Sequence, residues 1–322
     1  MKNTYSFFAK NIVQKILVVL LNLFIISCSA KDFDDNDFQI KYYRNNPLPT
    51  TDSLRILAIG NSYTDDETAY LNSLITKAGI DSNRICIYVG SIGSASLQTW
   101  AEIYENDKFV NITRRAGNLE MKNNGTLKEL LAQHWDIITL QQESSKAINF
   151  NTFNPWLSRI INYIKQDCSN TEVALGWQMA WSYWSNYGNA PKGKERYELI
   201  CSAIKTQIKK NGIDIIIPIG TAIENARMSS LQTKHDLTRD GTHLCFGAGR
   251  YIASCIWYET LIAPVFGKSI LHTYVIHSIT DEEKNSSLFE TVEVNNTNYL
   301  LCQKCAEYAK IYPYTPTKIT IP

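Results

Sequence analysis

Residues 55–65 of this chain read RILAIGNSYTD, and this stretch decides the fold. The apolar run at 55–59 predicts a buried strand, and Gly60 marks the turn that ends it. The residues that follow predict a helix over 66–78 that ends before Gly79, so Ser62 lies in the turn between the strand and this helix. In open α/β sheets, ligands bind at the carboxyl ends of the strands. The sequence therefore predicts a serine hydroxyl at the ligand-binding edge of a sheet.

Four more apolar segments repeat this pattern and predict further strands at residues 84–89, 135–140, 171–177 and 214–219. Helical segments lie between them, and the strongest is amphipathic over residues 155–167. Five apolar strands joined by helices favour a mainly parallel sheet that is covered on both faces. We therefore expect a three-layer α/β/α sandwich with a five-stranded sheet. Residues 109–118 alternate weakly and predict only an accessory hairpin.

The first 28 residues have the pattern of an export signal. Three lysines in the first 15 residues precede an apolar segment at 16–26, which is too short to span a bilayer comfortably. Residues 25–28 read IISC and resemble the lipobox of bacterial lipoproteins. Cys28 is therefore the expected lipidation site and the expected contact with the membrane. An ordinary signal peptide or an uncleaved anchor is the alternative.

A tether is predicted at residues 29–53, because this segment is polar and carries four aspartates between positions 32 and 37. An acidic segment after a lipidated cysteine resembles the surface-export signal of some Gram-negative envelopes. We expect a protein that is exported and lipid-anchored to the outer membrane of the bacterial envelope. Either the periplasm or the cell surface fits this pattern as its location. A single folded domain is expected over residues 54–322, with a helical tail from about residue 269.

Charge and cysteine content exclude several classes of function. The chain has 32 Lys and Arg residues and 31 Asp and Glu residues, so it has no large excess of positive charge that would attract nucleic acid. Seven cysteines follow Cys28, and an odd number leaves at least one thiol free. Cys302 and Cys305 have the spacing of a redox or metal pair, but structural zinc needs four ligands and no second pair accompanies them. We expect a monomer with no metal and no organic cofactor.

A carboxylate and an imidazole lie three residues apart in the segment 240–243, which reads DGTH. A serine hydroxyl is a weak nucleophile until a base takes its proton. Its usual base is a neutral imidazole that a carboxylate orients. His235 beside Asp236 is the rival pair, in a polar loop. Alone, Ser62 fits a helix cap equally well, but His243 with Asp240 favours a nucleophile.

With these blocks in this order, the chain resembles the SGNH/GDSL hydrolase superfamily, and within it the domain of unknown function 4886 family. The resemblance covers most of the chain after residue 54. It implies a flavodoxin-like sandwich and an esterase or lipase activity, which in this superfamily includes carbohydrate deacetylation. It assigns the nucleophile to Ser62, the general base to His243 and the orienting carboxylate to Asp240. Asn61 stands where many members have Asp.

The same resemblance implies an oxyanion hole built after the second and third strands. Gly93 is the expected backbone donor there, with Gly90 as its rival. Most members carry Gly-x-Asn-Asp after the third strand, whereas residues 140–144 read LQQES and resemble the Gln-Gly-Glu-Ser form of sialate and xylan acetylesterases. A glutamine amide can donate to an oxyanion as asparagine does. Gln141 aligns best with that donor, and Gln142 is the alternative.

An aromatic segment at residues 177–187 follows the fourth predicted strand. Trp177 and Trp181, together with Asn61, are the expected substrate contacts, because sugar rings stack on indole faces. Core packing is the alternative role for the tryptophans. We expect a serine esterase that removes acetyl or other short acyl groups, with a glycan ester as substrate. An acyltransferase on the same fold, or a glycan-binding lipoprotein without catalysis, is the alternative.

Overall fold

A computed structural model of the chain describes residues 52–116, 119–183, 191–275 and 277–321. The predicted signal segment, Cys28 and nearly all of the predicted tether lie outside these ranges, as do residues 184–187 of the aromatic segment. Within the described ranges, no helix is both long enough and apolar enough to cross a membrane.

The described residues form one seven-stranded sheet in the order β4-β3-β2-β1-β5-β6-β7. Its strands are β1 (Leu54–Gly60), β2 (Ile85–Ser91), β3 (Phe109–Ala116), β4 (Leu119–Thr126), β5 (Ile137–Leu140), β6 (Ala174–Gln178) and β7 (Ile215–Ile217). The five strands predicted from the sequence are β1, β2, β5, β6 and β7, and they pair in parallel. They are buried along almost their whole length, as expected for a parallel sheet covered on both faces.

The predicted number of five strands is wrong, because the hairpin is part of the main sheet. β3 pairs antiparallel with β2, from Ile87↔Arg115 to Ser91↔Asn111, and β4 pairs antiparallel with β3. The antiparallel strands extend the sheet beyond β2. Exposed polar residues such as Asn111 and Asn124 explain the weak alternation in the sequence, since part of the hairpin faces solvent.

The described helices are α1 (Ser62–Thr68), α2 (Leu71–Lys77), α3 (Leu97–Glu105), α4 (Leu127–Leu131), α5 (Trp156–Asp167), α6 (Gly193–Gln207), α7 (Ile219–Arg227), α8 (Ala248–Trp257), α9 (Ala263–Phe266), α10 (Asp281–Ser286) and α11 (Tyr299–Ile311). Short 3₁₀ segments lie at Ser82–Arg84, Phe150–Thr152 and Lys209–Asn211, and a π-helical segment at Tyr258–Ile262 continues α8. Helix α8 packs against α1, α2, α7 and α11, and α5 packs against α3 and α4. These two helical layers enclose the sheet and confirm the predicted three-layer α/β/α sandwich.

One predicted helix at residues 66–78 is divided in the structure into α1 and α2. The backbone N–H of Tyr70 donates to the Ser254 hydroxyl of α8 at 3.2 Å, instead of continuing the pattern of helical hydrogen bonds. The hydroxyl of Tyr70 in turn accepts from the N–H of Gly247 at 3.2 Å.

The strand order places a switch point between β1 and β5. From β1 the chain crosses to β2 on one side, while β5, β6 and β7 follow one another on the other side. Crevices open at the carboxyl ends of strands where the order reverses in this way. The residues that follow β1 and β5 therefore lie where an α/β protein binds its ligand.

Gly60, the last residue of β1, allows a close approach of side chains that a larger residue would block. A Cβ atom at this position would lie 2.0 Å from the Thr64 hydroxyl oxygen and 3.0 Å from the Gln141 side-chain oxygen. Thr64 is completely buried, so it cannot move aside into solvent.

We expect Gly60→Ala to lower the free energy of unfolding by about 1–3 kcal/mol, the usual cost of overpacking a core. Gly93→Ala is the matched control, since an added Cβ there meets no atom within 4 Å. Equilibrium urea unfolding of both variants measures the difference. Equal stability of the two variants would contradict the close approach at Gly60.

Candidate active site

Ser62 occupies the first position of α1, directly after β1. Asn61 caps this helix: its side-chain oxygen accepts from the N–H of Tyr63 at 3.0 Å, and its amide donates to the carbonyl of Ala95 at 3.1 Å. Asn61 is 3% exposed. The prediction that Asn61 contacts substrate is therefore wrong, because both ends of its amide are occupied in fixing the turn that carries the serine.

The three side chains predicted as a catalytic set form one hydrogen-bonded chain. The Ser62 Oγ lies 2.8 Å from Nε2 of His243, and Nδ1 of the same ring lies 2.6 Å from Oδ2 of Asp240. Asp240 also accepts from the backbone N–H of Thr242 at 2.9 Å and of His243 at 2.8 Å. With the carboxylate on Nδ1, that nitrogen carries the proton and Nε2 is free to accept from the serine.

The chain of hydrogen bonds is reachable from solvent. The side chains of His243 and Asp240 are 28% and 30% exposed, and Ser62 is half-buried. An external carbonyl group can thus approach the serine oxygen while the imidazole remains in contact with it.

The surroundings of Asp240 keep its side chain ionised. Partial burial alone would raise the pKa of Asp240, but the hydrogen bonds from the imidazole and from the N–H groups of His243 and Thr242 outweigh it and hold that pKa well below its usual range. The carboxylate form is the one that orients the imidazole and stabilises a positive charge on it.

A buried ion cluster holds the histidine loop against α1. Asp66, one turn after Ser62 and fully buried, accepts from the backbone N–H of Leu244 at 3.0 Å. It also accepts from Arg239 Nη1 at 2.8 Å and from Arg250 Nη2 at 2.8 Å. The sequence pattern does not reveal this role of Asp66. The only available signal was a second acidic residue one turn after the serine.

The two predicted substrate-stacking tryptophans are buried, so that prediction is wrong. Trp177 is 2% exposed and packs against Phe153. Trp181 is 0% exposed, stacks on Tyr63 with ring centroids 3.8 Å apart, and donates from its indole N–H to the carbonyl of Thr242 at 2.7 Å. Bulky aromatic side chains here gain more from packing than from solvent exposure. Trp181 supports the histidine loop instead of offering a face to a sugar.

Neither predicted glutamine is available to an oxyanion. The amide of Gln141 donates to Glu67 Oε1 at 3.1 Å, and the amide of Gln142 donates to the carbonyl and hydroxyl of Thr152 at 3.0 and 3.2 Å. Both glutamines are at most 2% exposed. The prediction of a glutamine donor is therefore wrong, because both amide groups already hold buried protein partners.

Two backbone N–H groups near the serine are available instead. The first N–H of α1, at Ser62, has no acceptor within the helix, as is usual at helix starts. Gly93 is exposed, and in the described part of the chain its N–H has no acceptor. Its loop is tied to the end of β1 by a hydrogen bond from the N–H of Ile92 to the carbonyl of Gly60 at 3.4 Å. The rival Gly90 lies within β2, buried between neighbouring strands.

The rival histidine belongs to a different part of the surface. His235 contacts the carboxylate of Glu290 through Nδ1 and stacks on the ring of Phe289, with centroids 3.9 Å apart. Burial of Glu290 alone would raise its pKa, but the hydrogen bond from His235 outweighs it and lowers the pKa to about 2. This pair fixes the segment after α10.

Seven described cysteines are free thiols, and all are buried. Burial raises the pKa of Cys302 well above its usual value and that of Cys305 to about 12. A protonated thiol is a poor metal ligand and a poor nucleophile. Within the described residues, no group of three His, Cys, Asp or Glu side chains is arranged to hold a metal ion.

Comparisons with known proteins give the family and the fold. The profile of the family described as "Domain of unknown function (DUF4886)" matches residues 55–297. A crystal structure of a DUF4886 family protein from Bacteroides uniformis ATCC 8492 is similar, with 26% identity, a TM-score of 0.70, and coverage of 83% of this chain and 98% of that chain. Among curated proteins, none matches this chain.

Two other solved structures are similar only loosely. A gut microbial diltiazem-metabolizing enzyme has 13% identity and a TM-score of 0.42, over 68% of this chain and 48% of that one. A provisionally assigned acylhydrolase from Bacteroides fragilis NCTC 9343 has 11% identity and a TM-score of 0.42, over 70% of this chain and 94% of that one. Similarity at this level supports no inference about activity.

We expect the carboxyl carbon of Asp240 to show no titration between pH 7 and pH 3 in ¹³C NMR, because its pKa is held low. In His243→Ala the pKa of Asp240 should rise, since the imidazole hydrogen bond is lost while the backbone ones remain. Ser62→Ala, which makes no contact with the carboxylate, is the control and should leave the titration unchanged.

The low pKa of Asp240 also makes the stability of the fold depend on pH. A depressed pKa in the folded state means that Asp240 stabilises the fold above the carboxyl group's ordinary pKa and loses this contribution as the pH falls towards the folded value. A carboxyl signal for Asp240 that titrates in the ordinary aspartate range would contradict the hydrogen-bonded arrangement.

Proposed function

The chain belongs to the DUF4886 family, whose description assigns no activity, and we propose that it is a serine hydrolase that cleaves carboxylic esters. The observation that carries this proposal is the unbroken chain from Ser62 Oγ through both nitrogens of His243 to Asp240, at 2.8 and 2.6 Å. A nucleophile, a base and an orienting carboxylate in mutual hydrogen-bond contact define this type of site irrespective of fold.

The geometry supports a two-step acyl transfer to water. Ser62 Oγ attacks the ester carbonyl while Nε2 of His243 accepts its proton, and Asp240 stabilises the imidazolium that forms. The N–H groups of Ser62 and Gly93 are the proposed donors to the tetrahedral oxyanion. The imidazolium then protonates the leaving alkoxide. A water molecule, deprotonated by the same imidazole, releases the acyl group and restores the serine.

As substrate we propose a glycan that carries acetyl or another short acyl group. The support for this class is the resemblance of residues 140–144 to the sialate and xylan acetylesterases, even though the two glutamines of that segment serve the fold. The buried tryptophans offer no such support, so the sugar must be recognised elsewhere on the surface.

We predict that Ser62→Ala and His243→Ala each lower kcat/KM for 4-nitrophenyl acetate by about 10⁴-fold or more, because members of such a set act as a unit. Asp240→Asn should cost about 10⁴-fold in kcat, since the wrong imidazole tautomer is then favoured. A fluorophosphonate probe should label the wild-type chain at Ser62.

Ser202→Ala and His134→Ala are the matched controls for this assay. Both residues are on the surface, and their side chains lie outside the hydrogen-bonded chain. Their activity should equal that of the wild type. Ester cleavage that survives in Ser62→Ala, or labelling at another serine, would exclude the proposed nucleophile.

We also propose that the mature protein is anchored in the bacterial envelope through a lipid on Cys28. Its support is the sequence pattern at residues 16–28. A single acyl chain gives only marginal membrane binding, whereas several chains on one residue give stable anchoring.

Cys28→Ala should abolish incorporation of radiolabelled palmitate and move the protein out of the membrane fraction of the producing cells. Ser29→Ala, the neighbouring change, should retain both the label and the membrane location. Membrane retention of the unlabelled Cys28→Ala variant would argue for an uncleaved anchor in place of a lipid.

A further inference from the structure

A polar cleft of about 730 Å³ lies beside α1, on the side of the sheet that the β3–β4 hairpin extends. It does not include the hydrogen-bonded chain of the active site. The strands β2, β3 and β4 line one side of it, and side chains of α1, α2, α8 and α10 line the other.

The strand side of the cleft presents a row of hydrogen-bonding side chains. Ser91 at the end of β2 pairs with Asn111 of β3, which in turn pairs with Asn124 of β4. Residues directly opposite one another in an antiparallel sheet point to the same face. Asn111 and Asn124 are exposed, and the Ser91 hydroxyl donates to Asp65 Oδ2 at 2.6 Å. The row thus joins the hairpin to α1.

The helical side of the cleft contains a buried nitrogen atom with no hydrogen-bond partner among the described residues. His277 stacks on Tyr70 with ring centroids 3.5 Å apart, and the Tyr70 hydroxyl donates to Glu283 at 3.1 Å. The Nε2 atom of His277 is buried and makes no hydrogen bond to any residue that the structure describes. Buried polar atoms in native proteins are rarely left unpaired, so an unpaired one at a cleft points to a ligand or water that completes it.

The chemistry of the lining selects a class of ligand. Amides and hydroxyls supply both donors and acceptors, which match alcohol groups, since each alcohol both donates and accepts. The lining carries two carboxylates, Asp65 and Glu283, and one guanidinium, Arg250, which is paired with Asp66 and lies 3.7 Å from Glu283. An anionic ligand or a long acyl chain would find no matching surface here.

The position of the cleft relates it to the nucleophile. Asp65 follows Ser62 by three residues on α1, and residues at this spacing lie about 5–6 Å apart on one helix face. We propose that this cleft binds a neutral oligosaccharide, which carries the scissile ester at its end nearest Ser62. The location of the ester rests on the proposed esterase activity, whereas the binding of sugar does not.

Binding is tested with the full chain carrying Ser62→Ala, which cannot turn over an ester. The probes are xylotetraose, cellotetraose and mannotetraose, measured by saturation-transfer NMR and titration. At least one probe should bind, and adding Asn111→Ala and Asn124→Ala together should weaken its affinity about 10-fold, as expected for two lost hydrogen bonds. Asn83→Ala, an exposed asparagine at the opposite end of β2, should leave the affinity unchanged.

A second variant separates binding from folding. Asn111→Asp keeps the shape of the side chain and removes its N–H donors, and it should weaken the same probe while the unfolding midpoint stays that of the parent. The proposal is overturned if none of the three probes binds, or if the double variant binds as tightly as its parent.

A kinetic comparison tests where the ester lies. In the chain with native Ser62, the double variant should lose about 10-fold in kcat/KM for acetylated xylotetraose and nothing for 4-nitrophenyl acetate, whose alcohol carries no hydroxyl for the cleft. Equal losses on both esters, or none on either, would overturn the placement of the sugar. If the wild type binds the sugar but cleaves neither ester, the proposed esterase activity is wrong and the proposed sugar binding in the cleft still holds.

Discussion

The buried carboxylate of Asp66 is the interaction on which the geometry of the site depends. It lies on the same helix as Ser62 and accepts hydrogen bonds from Arg239, Arg250 and the N–H of Leu244. Leu244 follows the histidine directly, so one charge fixes the distance between the helix that carries the hydroxyl and the loop that carries the imidazole. Removal of one partner from such a buried cluster typically costs about 3–5 kcal/mol, which makes this arrangement rigid.

Beneath α1, a second polar cluster ties the helix to the carboxyl ends of the strands. Thr64 contacts Gln178 at the end of β6, and Gln178 donates to the hydroxyl of Thr139 in β5 at 2.9 Å. Gln141 donates to Glu67, whose pKa is raised by burial. Satisfied networks of this kind fix a unique arrangement. They give the glutamine after β5 a structural role, because the amide of Gln141 holds the helix that carries Ser62.

Local pattern was enough to predict the parallel strands and the position of the serine, because near-continuous apolar runs and a glycine-terminated strand are local properties. The sequence does not show which distant side chains pair with one another. Asp66 meets arginines 173 and 184 residues further along the chain, and no spacing shows which charges meet. The side chains of Trp181 and Gln142 are of types that suit either ligand binding or core packing. Only the direction of each side chain in the fold distinguishes the two roles. The hairpin was underestimated because its partly solvent-facing strands carry a weak apolar signal.

The short helix α1 also connects the proposed catalytic base to the proposed sugar cleft. Successive helical residues turn by about 100°, so Asp66 lies to one side of Ser62 and Asp65 to the other, each within about 60°. Asp66 binds the histidine loop, and Asp65 binds Ser91 at the cleft. The hydroxyl thus lies between the imidazole and the cleft. An ester carried by a sugar in that cleft would approach the serine oxygen from the side that the imidazole leaves open.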